Sequence, residues 1–120
     1  MYNWQKPTVQ MLGRWQPWHD GHTALFKKAL EITGQVCIMY RDVAGADAGI
    51  EGQGDNPFDF EDVKKRIISG LAELGYKENR DFVIIKVPNI VDISYGRGVG
   101  YTFTEHDLGE EIHKISATKI

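Results

Sequence analysis

A chain of 120 residues with a formal net charge of -3 has room for one domain with a buried core. That charge excludes the global basic field that gathers nucleic-acid polymers, and a lone cysteine excludes an internal disulfide framework. No segment approaches the roughly 20 apolar residues of a membrane span, and Met1 to Pro7 lacks the apolar core of a secretory signal, so a cytoplasmic protein is expected.

In chain order, Thr8 to Leu12 reads as a buried strand broken by Gly13 and Pro17. Leu25, Phe26, Ala29 and Leu30 then recur with helical period, predicting a helix from Asp20 to Thr33 closed by Gly34. His19 and His22 therefore stand where a helix begins. Unpaired backbone N–H groups and a partial positive charge gather there, and two imidazoles add donors suited to a phosphate chain. Gly21 would let backbone and phosphate come close.

Gln35 to Arg41 is the second strand, and its unbroken apolar stretch Val36 to Tyr40 predicts cover on both faces, as in parallel sheets. Cys37 within it reads as a small buried hydrophobe. Asp42 to Asp55, with glycines at 45, 49, 52 and 54, is a long loop, either a solvated connection or a substrate lid. Asn56 and Pro57 supply an N-cap and a first-turn proline for a helix whose stripe is Phe60, Val63, Ile67, Leu71 and Leu74, closed by Gly75. Lys64, Lys65 and Arg66 read as its solvated face.

Phe82 to Val87 is a third buried strand ended by Pro88, and Tyr101 to His106 is a candidate short strand before the acidic Asp107 to Glu111 stretch. Ser116 and Thr118 open a last helix. Alternating strands and helices predict an α/β protein, a Rossmann-like doubly wound parallel sheet in a single small domain over residues 1–120. Its ligands would bind beyond the carboxyl ends of the strands.

Gly13-Arg14-Trp15-Gln16-Pro17-Trp18-His19-Asp20-Gly21-His22 resembles the G-R-F-Q-P-F-H-x-G-H signature of archaeal-type nicotinamide mononucleotide adenylyltransferases. More broadly it is similar to the H-x-G-H nucleotidyltransferase superfamily, which includes small cytidylyltransferases. Ile115-Ser116-Ala117-Thr118-Lys119-Ile120 resembles the I-S-x-T-x-I-R motif of the same superfamily, and the two motifs stand in the expected order. Asn56-Pro57-Phe58 resembles the element that opens the helix after the substrate loop. Asp62-Val63 stands where that group usually carries Glu-Arg.

The resemblance implies transfer of a nucleotidyl group from a nucleoside triphosphate, ATP before CTP, to a small phosphorylated acceptor such as nicotinamide mononucleotide, with release of pyrophosphate. His19, His22 and Arg14 are the implied catalytic residues. Gly13, Trp15, Gly21, Arg97, Ser116, Thr118 and Lys119 would bind the nucleotide, while Trp18, Lys27 and Asn56 would bind the acceptor. The two tryptophans either stack on a planar ring or pack beneath the site. Arg97 lies among Gly96, Gly98 and Gly100, a composition suited to approaching an anion, and with Lys119 it is a candidate for the charge of the arginine that follows the motif in the superfamily.

Mg²⁺ is the implied cofactor, held mainly by phosphate oxygens and water, with no dedicated metal ligands in the protein. His106 and His113 read as surface residues. Three alternatives stay open: cytidylyl transfer to a phosphorylated alcohol, a weak nucleotide-binding regulatory module, and a metal site at His19 and His22. Expected partners are the triphosphate and the acceptor, without nucleic acid or membrane. Tyr2, Trp4 and the Val91 to Tyr101 stretch leave a homo-oligomer open.

Overall fold

The computed structural model describes residues 1–42, 58–97 and 100–106. Most of the predicted loop, the Asn56-Pro57 cap, the acidic stretch, His113 and the Ser116, Thr118 and Lys119 motif lie outside the described residues.

The described elements run in the order β1 (Val9–Gly13), α1 (Asp20–Thr33), β2 (Val36–Arg41), α2 (Phe60–Ala72) and β3 (Phe82–Val87). The strands form one parallel sheet in the order β1-β2-β3. Val9, Met11 and Gly13 stand in register with Val36, Ile38 and Tyr40, and these with Phe82, Ile84 and Lys86. Residues in register share a face. Against that face pack Phe26 and Ala29 of α1 and Val63, Ile67 and Leu71 of α2, forming one core with Met11, Val36, Ile38, Tyr40, Phe82 and Ile84.

Both helices lie on one face because right-handed crossovers between strands in sequential order return to the same side. Burying Phe26 alone contributes about 1.5–3 kcal/mol by transfer from water, since its ring meets those of Tyr76 and Phe82 edge-on and is wholly buried.

The opposite face is only partly covered among the described residues. Cys37, Met39 and Arg41 alternate as half-buried with the buried Val36, Ile38 and Tyr40, so β2 is helix-covered on one side only among the described residues. The apolar run reflects burial by helices on one side and partial cover on the other. Cys37 is half-buried, and desolvation pushes its thiol pKa up.

Three boundaries also move. The second helix is capped by Asp59, whose carboxylate accepts from the Asp62 N–H at 2.9 Å, and not at Asn56. It ends at Ala72, which leaves Leu74 exposed outside the stripe, and Gly75 turns the chain at φ +89°, a left-handed conformation suited to glycine. The segment Tyr101 to His106 is not a strand: Tyr101 and Phe103 are exposed, and no described strand runs beside them to receive their backbone groups.

The amino-terminal segment is fastened by a buried amide. Gln35 Nε2 donates to the Asn3 carbonyl at 2.7 Å and to Thr8 Oγ1 at 2.6 Å, while its Oε1 accepts from the Asn3 N–H at 3.1 Å.

Candidate functional site

β1 delivers the chain to the carboxyl edge of the sheet, and the next residues turn sharply. Trp15 adopts φ +52°, a left-handed conformation that costs a non-glycine residue on the order of 1–3 kcal/mol. Packing holds it there. A Cβ on Gly13 would come within 2.8 Å of the Trp15 ring, and the indole N–H donates to the Met39 carbonyl at 3.1 Å. Gly13 thus makes room for a buried tryptophan, and Trp15 lies in the core beneath the histidines without an open ring face.

Gln16 follows, buried, and its carboxamide pairs with Phe58 in both directions. Nε2 donates to the Phe58 carbonyl at 2.8 Å and Oε1 accepts from the Phe58 N–H at 2.9 Å. The Tyr40 hydroxyl reaches the same carbonyl at 3.5 Å. Burial pushes that hydroxyl's pKa up, the carboxylates of Asp42 and Asp59 reinforce the shift, and Gln16 opposes it. The Gln16 clamp ties the turn after β1 to the residue that leads into α2, and the Arg66 guanidinium lies over the Phe58 ring at 4.2 Å. Arg66 therefore does more than face solvent.

The start of α1 is capped by imidazoles. His19 is the N-cap with extended backbone, and its Nδ1 accepts from the Gly21 N–H at 3.0 Å. His22 reaches back, its Nδ1 accepting from the His19 N–H at 3.1 Å. This is the reciprocal arrangement that Ser or Thr and Glu usually form, built here from two histidines. A neutral imidazole whose Nδ1 accepts must carry its proton on Nε2. Both rings therefore carry their proton on Nε2, and in His19 that atom is buried.

The rings stack with centroids 3.7 Å apart and planes 21° from parallel. Trp15 meets His22 edge-on at 4.8 Å, and Trp18 lies 5.4 Å from the same ring. Trp18 in turn donates its indole N–H to Thr23 Oγ1 at 2.8 Å and packs beside Gly70 of α2, where an added Cβ would lie 3.7 Å from its ring. Two aromatic walls and two backbone bonds thus set the orientation of the imidazoles.

This arrangement engages four N–H groups at the helix start. The N–H groups of His19 and Gly21 are taken by the imidazoles, and those of His22 and Thr23 donate to the His19 carbonyl. Gly21 is buried in the first turn, with its N–H already engaged.

Arg14 follows the last residue of β1 and is half-buried at the same edge. Lys27 is exposed further along α1, and Arg97 is exposed in a bend; no contact among the described residues joins either to the histidines. Asn56, Ser116, Thr118 and Lys119 lie outside the described residues. Among the described residues no group of three or more His, Cys, Asp or Glu side chains is gathered as a metal site would require. No described helix is long and apolar enough to cross a membrane.

Sequence reasoning missed Gln16, whose clamp is long-range, and Thr23, whose hydroxyl holds Trp18. The helical period does not encode such partners. Only their position beside the histidine motif was a signal. No family model and no curated protein matches the sequence.

Proposed function

We propose that the protein is a nucleotidyltransferase that moves a nucleotidyl group, adenylyl first, from a nucleoside triphosphate to a small phosphorylated acceptor such as nicotinamide mononucleotide. The observation that carries this reading is the stacked His19 and His22 pair, which caps the helix through Nδ1 at the carboxyl edge of the sheet and so carries its ring protons on Nε2. The likeness of the surrounding decapeptide to the adenylyltransferase signature supplies the substrate class.

An oxygen of the acceptor's phosphate attacks the α-phosphorus of the triphosphate, a new P–O bond forms, and the bond from the α-phosphorus to the oxygen bridging to the β-phosphate breaks. Pyrophosphate leaves with that electron pair. The nucleophile is already anionic, so no strong base and no covalent enzyme intermediate are required. The protein's work is to align two anions and to donate hydrogen bonds where charge builds. His19 and His22 fit that role through Nε2–H, and Arg14 at the strand end adds a cation.

Mg²⁺ would be carried in on the triphosphate and offset its charge. Ser116, Thr118 and Lys119 would complete the triphosphate site. We extend the fold in the same way: two helices on one face of β1-β2-β3 are half of a doubly wound Rossmann-like sheet, whose ligands sit at the carboxyl edge. A cytoplasmic enzyme fits this chemistry.

Pyrophosphate release, followed with Mg²⁺ and either ATP or CTP over a panel of phosphorylated acceptors, tests the proposal. Turnover with ATP and a mononucleotide acceptor, lost in His22→Ala, is the expected result. Turnover with CTP alone replaces adenylyl by cytidylyl transfer. Nucleotide binding with equal, negligible turnover in both proteins makes it a binding module instead.

A further inference from the structure

Arg41 ends β2 at the same edge where Arg14 follows β1, each standing directly beyond the register pair Gly13 and Tyr40. Its side chain belongs to the face away from the helices, because Tyr40 before it is buried against them. Nη1 reaches the Ile90 carbonyl at 3.4 Å, at the outer limit of a hydrogen bond. Nε is buried and meets no acceptor among the described residues, and no ion pair there involves Arg41. With Nη1 directed to Ile90, the edge left to the guanidinium is the one formed by Nε and Nη2. That edge is the fork that binds two oxygens of one carboxylate or phosphate.

A buried guanidinium donor facing no acceptor is costly, and proteins retain such a group where a ligand completes it. The chain from 88 to 95, which passes Arg41 at Ile90, has neither helix nor strand to resist a small shift toward or away from that fork. The requirements at the edge also differ by position. An imidazole is a single-point donor, whereas Arg41 offers one planar fork suited to a terminal phosphate.

We propose that Arg41 is an anion-binding residue that receives the terminal phosphate of a phosphomonoester, the acceptor of the reaction. The identity of that phosphomonoester as acceptor rests on the nucleotidyl-transfer reading, while the existence of the anion site does not. The fork holds two phosphate oxygens, leaving the third to act as nucleophile.

The test titrates inorganic phosphate and, separately, ATP with Mg²⁺ into the full chain and into Arg41→Gln, Arg41→Lys and His22→Asn, with circular dichroism as the folding control. Arg41→Gln is expected to weaken phosphate binding at least tenfold and leave ATP binding within twofold. Arg41→Lys should recover part of the phosphate affinity, since it restores charge but not the fork, and His22→Asn should weaken ATP binding alone. Unchanged phosphate affinity in a folded Arg41→Gln protein overturns the proposal even if the wild type turns over nucleotide. Phosphate binding lost in Arg41→Gln, in a protein that neither binds triphosphate nor releases pyrophosphate, upholds the anion site and removes nucleotidyl transfer. If Arg41→Gln does not fold, Arg41→Lys decides, and phosphate affinity equal to wild type overturns the proposal.

Discussion

The two helices that rise from the carboxyl edge of this sheet begin in opposite ways. α2 starts at Asp59 with Glu61 and Asp62 in its first turn, so carboxylates answer its partial positive charge. α1 starts with two imidazoles that cap the backbone through Nδ1 and keep Nε2–H free of that duty, with Asp20 the acidic group of its first turn. The topology supplies two similar helix starts, and side chains decide which of them suits an anion. A neutral imidazole cap holds the helix and still carries an N–H on its ring, whereas a carboxylate cap brings only acceptors.

The sharpest way to break this comparison is to separate the two duties of His22. An asparagine places its carbonyl oxygen near the position of Nδ1 but has nothing at Nε2. His22→Asn should therefore retain the cap, seen as a thermal midpoint close to wild type, while kcat falls roughly 10²–10³-fold as for loss of a transition-state donor. His22→Gln places an amide near Nε2 and should show the reverse, retaining more turnover while losing about 1 kcal/mol of cap stability. Equal turnover in the two variants would mean that Nε2–H is not the working atom.

Gly13→Ala should act on folding. The added methyl meets the Trp15 ring at 2.8 Å, so about 1–3 kcal/mol of destabilisation is expected by denaturant unfolding. A stable Gly13→Ala protein with impaired turnover would shift the glycine's role from packing to ligand approach.

At the other helix start, Asp59→Ala should cost about 1 kcal/mol of stability and leave triphosphate affinity within twofold. A large change in affinity would show that the second helix start also serves the ligand.

The smallest effect belongs to Asp81, far from either contrast. Burial alone would push its carboxyl pKa up, but bonds from Arg80 at 2.9 and 3.1 Å and from the Lys77 N–H at 2.8 Å hold it below its ordinary value of 3.8. A lowered native pKa contributes stability that is complete above the ordinary value and fades as pH falls through the native one. Asp81→Asn should therefore lower the thermal midpoint slightly at pH 7, with the difference from wild type vanishing in the acid range below 3.8.

The helix over Asp20 to Thr33 was legible to the residue, because an apolar stripe, a glycine stop and a polar start all agree there. The strands were legible as apolar runs. What a run of β2's kind does not reveal is which face a helix covers, since half-buried Met39 and buried Ile38 are equally apolar. The start of α2 went astray because Asn56 and Asp59 are both good caps, and the carboxylate that meets an N–H wins. In the site, the motif brought attention to the histidines, but their mutual capping was hidden because histidine is not the residue usually found in that box. Gln16 stands inside the histidine signature without a role assigned to it, Arg41 belongs to no motif, and their partners at Phe58 and Ile90 lie 42 and 49 residues away.

The tryptophans set against His22 also have an optical consequence. An indole in contact with imidazole loses excited-state energy more readily when the imidazole is protonated, and Trp15 and Trp18 lie 4.8 and 5.4 Å from this ring. The third tryptophan, Trp4, stands exposed on the amino-terminal segment and reports on solvent. The protein thus carries its own emission signal for the charge state of the site, with a built-in reference at the other end of the sheet.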